Sequence, residues 1–284
     1  MFSRQTAAEI EKAAKEFGLE PAALLAIAEI ESAGQVFAKV DGRNEPLIRF
    51  EGHYFDRRLT GDQQERARAA GLASPNAGDI ANPRGQAARW QLLGQAAAID
   101  HRAAYESTSW GLGQVMGAHW QWLGFADVDA LVTEARSGAA GQARLMARYL
   151  DKAGLTDPLN GHDWEAVGHG YNGPGFRKNN YHVKLAEAYR RQIEGPAPGD
   201  LTMNVGSRGE LVTELQEALV ALGYPVDTDG IFGPGTGAAV KKFQADHGLA
   251  ADGIAGERTQ AAIRKALGGE SGSLWSKLRA WLFG

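Results

Sequence analysis

The chain has no cysteine, which excludes a disulfide framework and any cysteine-ligated metal site. Its seven histidines form no HExxH or HxH pair, so a zinc peptidase or amidase centre has no motif to rest on and no cofactor is expected. Long runs of one charge sign are absent and the formal net charge is -4. Binding to nucleic acid would call for a basic face against the phosphates, so no such partner is expected. No stretch reaches the ~18 consecutive apolar residues of a membrane-spanning helix. The opening "MFSRQTAAEIEKAAKEFGLE" turns polar and charged at once, unlike a secretory signal. These absences leave a mildly acidic chain of 284 residues, expected to be soluble and made in a reducing compartment. That length suits one large domain or a medium one plus a small one.

What is present is mostly helical in pattern. Residues 6 to 17 read as a helix, with Thr6 and Glu9 spaced as a capping box. Pro21 suits the first turn of a second helix running to about Ser32. The pattern then changes to "FAKVDGRNEPLIRFEGHYF", where Asp41 and Gly42 signal a turn and "LIRF" a strand. Alanine- and leucine-rich stretches from Gln86 to Tyr105, and from about 118 to 152, read as helices, and "LAEAYRRQIE" as the last of this unit.

"GPAPGD", residues 195 to 200, has the composition of a linker. Beyond it "DGIFGPGT" (229 to 236) returns as "DGIAGERT" (252 to 259), each leading into a helical stretch. Asp-Gly makes a turn, and Thr236 or Thr259 is placed to cap the helix after it. The last stretch, "SLWSKLRAWLFG", sets Leu274, Trp275, Leu278, Trp281 and Leu282 at helical spacing. It reads either as a helix docked on its own domain or as one that lies at a membrane surface.

One residue sits where elementary chemistry resists it. In the helix from Pro21, Leu24, Leu25, Ile27 and Ile30 define an apolar side, and Glu31 falls about 20° from its centre while Glu29 points away. A carboxylate among apolar groups is disfavoured in its charged form, so its pKa rises and it keeps a proton, as a general acid must. Geometry alone also allows a helix-terminal Glu that leans outward or bonds a nearby amide.

Three further fragments come in order: "LIRFE" with Glu51, "STSWGLGQVMG" with Ser109 and Gln114 around a glycine-rich bend, and "GYNGPG" with Tyr171 and Asn172. The succession "ES", "SWGLGQ", "YNG" resembles the lysozyme-like superfamily of goose-type lysozymes and soluble lytic transglycosylases. A nearer resemblance, over about residues 7 to 193, is to the phage-type N-acetylmuramidase family of modular endolysins. That family has "ES" followed by a "DGRP…LFERH.F" stretch, against "ESAGQVFAKVDGRNEPLIRFEGHYF" here. The chain departs from it in two ways: the segment from Glu31 to Glu51 is a few residues longer, and the proline after "DGR" is displaced. Residues 205 to 267, with "LQEALVALGY", "AVKKFQADHGL" and the two Asp-Gly motifs, resemble the three-helix peptidoglycan-binding module.

The resemblance implies a mainly α protein. An α+β lysozyme-like catalytic domain with a small β element (1–194) precedes a linker (195–204), a peptidoglycan-binding domain (205–268) and an amphipathic tail (269–284). It implies Glu31 as catalytic acid and Glu51 as second carboxylate, with Asp41 the runner-up; Glu51 also reads as a surface residue paired with Arg49. Among substrate-binding candidates, Ser109 and Gln114 would orient acetamido groups. His53 would shape the site or bond Glu51. Tyr171, next to Asn172, would stack on a sugar or fill core with its hydroxyl bonded. Trp110, Trp120 and Trp122 are assigned to packing, and so is Phe243; Phe232 reads as core or ligand contact. The expected partner is the peptidoglycan glycan strand, met by a monomer, with membrane contact through the tail. The expected setting is synthesis in a bacterial host's cytoplasm without a signal peptide, then action on periplasmic peptidoglycan. A hydrolase, a lytic transglycosylase and a non-catalytic wall adapter all remain open at this level.

Overall fold

The computed structural model describes residues 2–194 and 202–267. The tail and most of the linker lie outside the described residues. The chain divides into two compact units, one of residues 6–32 and 36–189, the other of 1–5, 33–35 and 190–284. Among the described residues no helix is long and apolar enough to cross a membrane.

In chain order the elements of the first part are α1 (Arg4–Glu16), α2 (Pro21–Ser32), β1 (Phe37–Val40), β2 (Arg43–Pro46), β3 (Ile48–Phe50), α3 (Gly52–Arg58) and α4 (Gly61–Ala69). Then come α5 (Gln86–Ala97), α6 (His101–Glu106), β4 (Thr108–Trp110), β5 (Val115–Met116) and a single 3-10 turn, Gly117–His119. Five helices complete it: α7 (Val128–Arg136), α8 (Ala139–Lys152), α9 (Thr156–Asn160), α10 (Trp164–Asn172) and α11 (Tyr181–Glu194). The fold is mostly helical with few strands, as the pattern implied.

Three local expectations in this first part need correction. Thr6 lies inside α1 rather than ahead of it, so it is not a capping residue. The apolar stretch from Gln86 to Tyr105 is two helices, because Asp100 takes an extended conformation and its side chain accepts from Ala103 N, starting a new helix. And α2 is not two-sided: residues 23 to 28 are all buried. An apolar stretch hydrophobic all round belongs at the centre of a domain, and a stripe drawn on it understates its burial. Glu29 is accordingly partly buried instead of open to water.

β1 and β2 form a hairpin with Val40 opposite Arg43. Its two turn residues, Asp41 (φ 49°) and Gly42 (φ 78°), are both left-handed, the geometry that matches strand twist and favours Asp-Gly. A separate sheet has the order β3-β4-β5, antiparallel throughout. Period-2 alternation sorts it into two faces. Ile48, Phe50, Thr108, Trp110 and Val115 point into the core; Arg49, Ser109 and Met116 share the other face. The outer edge of β3 is met by side chains: Asn82 bonds both Phe50 N and Phe50 O, Gln86 accepts from Ile48 N, and Arg89 donates to Ile48 O. Backbone groups that would otherwise template another strand are thereby satisfied.

The second part holds α12 (Glu210–Ala221), α13 (Pro234–Asp246) and α14 (Glu257–Ala266) around a core of Leu215, Leu219, Phe232, Val240, Phe243 and Ile263. Phe232 and Phe243 are both fully buried core residues. The sequence repeat has a structural counterpart. Gln216 Nε2 reaches Asp229 Oδ1, Ile231 O and Thr236 Oγ1, while its Oε1 accepts from Gly230 N. Gln244 repeats this with Asp252, Ile254, Thr259 and Gly253. The threonines therefore do not cap: Gly233 and Gly256 hold the cap positions, and the hydroxyls turn inward to a buried glutamine.

Candidate functional site

Glu31 is the penultimate residue of α2. It is partly buried, and burial pushes its carboxyl above the ordinary carboxylate range. A hydrogen bond from Tyr181 Oη to Glu31 Oε1 (2.8 Å) opposes that rise without cancelling it. Tyr181, at the start of α11, is only 3% exposed. Its own pKa is pushed well up by burial and by the charge on Glu31, so it stays a phenol and a donor.

Tyr171 belongs to the same cluster. Burial first, then the charge on Glu31, raises its pKa well above the phenol range. Its hydroxyl donates to Gly113 O at 2.6 Å. Gly113 lies in the β4–β5 bend, which turns on two left-handed residues, Gly111 (φ 68°) and Gln114 (φ 47°). Nothing larger than glycine fits at 113, where a Cβ would stand 2.7 Å from Tyr171 Oη and 2.8 Å from Met146 Cβ. The bend is clamped by Gln142, which is 1% exposed; its Oε1 accepts from Leu112 N and its Nε2 reaches Val36 O.

The remaining expected residues stand at several places in the fold. Gln114 Nε2 donates to Gly111 O (2.8 Å) and leans on Leu47 O (3.4 Å), so its amide nitrogen is committed to the loop itself. Ser109 is 8% exposed and donates to Met116 Sδ (3.1 Å) on the non-core face of the sheet. Asn172 ends α10 in an exposed position. Glu51 follows β3 at the N-cap of α3, with no side-chain cap bond. Arg49 Nε stands 2.8 Å from its Oε1, and its side chain is 19% exposed. His53 Nδ1 is 3.6 Å from Glu51 Oε2, beyond hydrogen-bond reach, and is buried with no partner. Asp41 is the hairpin tip. Clefts of about 390 Å³ beside Asp41, Arg43, Glu45 and Trp90, and about 490 Å³ beside Val226, Asp227, Asp229 and Thr236, do not include Glu31.

Thus Tyr181 bonds Glu31 directly, and Tyr171 is near enough for the charge on Glu31 to raise its pKa. The bend joins them to β4, and β4 runs beside β3 and so leads to Arg49, Glu51 and His53. Several polar residues in this part of the fold carried no sequence signal. Tyr181 lies 150 residues from Glu31. Gln142 is one of several polar residues in α8, and nothing in its spacing sets it apart. Glu106 is held by Arg102 (2.8 Å), Arg58 (3.3 Å) and Trp120 Nε1 (2.9 Å). Burial alone would raise its pKa, but these bonds outweigh burial and lower it. Trp110 is core and Trp120 is fastened to Glu106; Trp122 packs on His119 and Tyr149 while staying 44% exposed.

Comparisons with known proteins agree with this architecture. The N-acetylmuramidase family profile matches residues 20–192, and that of a peptidoglycan binding domain matches residues 208–263. The crystal structure of a Burkholderia AP3 phage endolysin superposes with a TM-score of 0.58 at 32% identity, covering 66% of this chain and 71% of that one. A zinc D-Ala-D-Ala carboxypeptidase of Streptomyces albus G is 51% identical over 63 residues, 20% of this chain and 24% of the relative. An N-acetylmuramoyl-L-alanine amidase of Bacillus licheniformis is 45% identical over 67 residues, covering 21% and 19%. A spore cortex-lytic enzyme of Bacillus cereus is 38% identical over 85 residues, covering 30% and 29%. The chain thus spans less than a third of the length of each of these curated relatives.

Proposed function

Because the chain belongs to the N-acetylmuramidase family, we propose that it is a bacteriolytic peptidoglycan hydrolase. It cleaves the β-1,4 bond between N-acetylmuramic acid and N-acetylglucosamine, with Glu31 as general acid. The observation that carries this reading is the carboxyl of Glu31. It is partly buried at a helix end, raised in pKa by burial, and bonded on one oxygen by a phenol that cannot take its proton at neutral pH. A carboxylic acid that keeps its proton near neutrality can deliver it to a glycosidic oxygen as the bond breaks.

Glu51 is the second carboxylate in this reading. Arg49 holds it, and it lies along the sheet from the bend that supports Tyr171. It would handle water or stabilise the sugar cation. Tyr171 would line the groove, with Gln114, Ser109 and Asn172 on or near its wall. The smaller unit would keep the enzyme on the wall. A carboxypeptidase and an amidase, unlike in named activity, each share only a short stretch with this chain. A common polymer explains that better than a common reaction, and tethering raises local enzyme concentration.

A lytic transglycosylase is the second reading. Its support is the position of Glu51, which is neutralised by Arg49 and sits at a helix N-terminus where a carboxylate is at home without any catalytic duty. In that chemistry a hydroxyl of the substrate attacks and no second carboxylate is needed. Mass spectrometry of muropeptides released from purified sacculi separates the two. Reducing N-acetylmuramic acid ends support hydrolysis, with Glu51→Gln then abolishing release; ends one water lighter, with Glu51→Gln still active, support the transglycosylase. No release by a folded sample that still binds sacculi would leave a wall adapter.

A further inference from the structure

Trp122 is the one tryptophan among the described residues that is more than a third exposed. The exposure is not looseness. On one side Trp120 is fastened by Glu106 through its indole N–H and covered by the Arg102 guanidinium at 5.5 Å. On the other, Leu123 is 1% exposed and its N–H bonds His119 O at 2.8 Å. The indole itself packs edge-to-face on Tyr149 (5.6 Å, 81°) and against His119 (5.5 Å, 61°). A large aromatic ring packed on two neighbours and left half open to water forgoes part of the stabilisation that full burial would give.

The rings form a chain of contacts. Trp122 touches Tyr149, and Tyr149 touches Tyr171 (5.3 Å, 81°). Tyr171 is the ring that feels the charge on Glu31, and its hydroxyl is pinned to the bend. A polymer threaded past Glu31 has further sugars to place, and the apolar C–H face of a pyranose fits an aromatic ring that is presented without mobility.

Resting on the glycan-cleaving reading above, we propose that Trp122, braced by Tyr149 and His119, is a distal stacking platform for an N-acetylhexosamine ring of the glycan strand, two ring contacts out from Tyr171. Its contribution is to binding of long strands, not to the chemistry at Glu31.

The test uses the full chain carrying Glu31→Gln, so that strands are bound but not cut, and calorimetry with peptide-free glycan strands of two and six sugars. Adding Trp122→Ala should weaken binding of the hexasaccharide by about tenfold, the size expected for one aromatic contact, and leave the disaccharide unchanged. Trp122→Tyr, which keeps a ring, should recover most of the loss. With Glu31 intact, the same alanine variant should show its defect on long strands chiefly in KM. Equal hexasaccharide affinity with and without Trp122, in a chain whose parent cuts glycan, overturns this inference alone. Equal loss at both lengths with a lowered melting temperature overturns it in favour of a structural role. A parent that neither cuts nor binds either strand overturns it together with the glycan-cleaving reading.

Discussion

At Glu31 two opposing requirements meet in one side chain. Burial raises the pKa of its carboxyl, so between the ordinary carboxylate range and that raised value the folded state binds more protons than the unfolded one. Stability then falls as pH rises through that window. Glu31→Gln removes the ionisable group while leaving an oxygen for Tyr181 to bond. It should lower activity by about 10²–10⁴, the usual weight of a general acid, and raise the melting temperature, with the gain growing from acidic to neutral pH. Calorimetry across pH checks it; a gain independent of pH would mean that the carboxyl is not raised. Tyr181→Phe tests the opposing contact. Without its hydrogen bond the Glu31 pKa climbs further, so the alkaline limb of the pH–rate profile should move to higher pH. A limb that stays put would assign that titration to another group.

Elements decide whether those residues meet. The β4–β5 bend is the connecting piece, because it carries the carbonyl that pins Tyr171 and lies beside the strand that leads to Glu51. Gly113 has no room for a methyl group. Gly113→Ala should displace Tyr171 and cost about 1–3 kcal/mol of stability as an overpacking change, read by denaturant unfolding. Activity should fall with it. Gly94→Ala is the control, since Gly94 lies within α5 and a Cβ there meets nothing within 4 Å; activity should hold. Similar losses at both positions would remove the bend from the site. Within the sheet the sequence was legible: "LIRF" alternates, and that alternation sorted Ile48 and Phe50 into the core from Arg49 on the open face. By contrast α2 carried an apparent stripe and is buried nearly all round, because its surroundings, not its own period, supply the walls.

In the whole molecule the repeat is the clearest case of sequence and structure agreeing. Each Asp-Gly motif closes around a buried glutamine, Gln216 or Gln244, that bonds an aspartate, a threonine, a carbonyl and a glycine N–H. Each buried group left without a partner costs about 1–3 kcal/mol, so Gln216→Ala and Gln244→Ala should destabilise the smaller unit by similar amounts. If that unit holds the protein on the wall, both variants should also sediment less with purified sacculi. Destabilisation without loss of sedimentation would move wall binding elsewhere.

By itself the sequence determined what is carried by adjacent residues: the Asp-Gly hairpin turn, the alternating strand, the helical stretches, the twofold repeat, and the ordered motifs by which the family is known. These are local because turn geometry and periodicity are properties of a few consecutive residues. Only the tertiary structure decided that Tyr181 reaches Glu31, that Gln142 clamps the bend, that Thr236 and Thr259 face a glutamine rather than a helix end, and that Trp122 stands open while Trp110 is sealed. Burial and hydrogen-bond partners are set by side chains far away in the chain, and no window of neighbouring residues contains them.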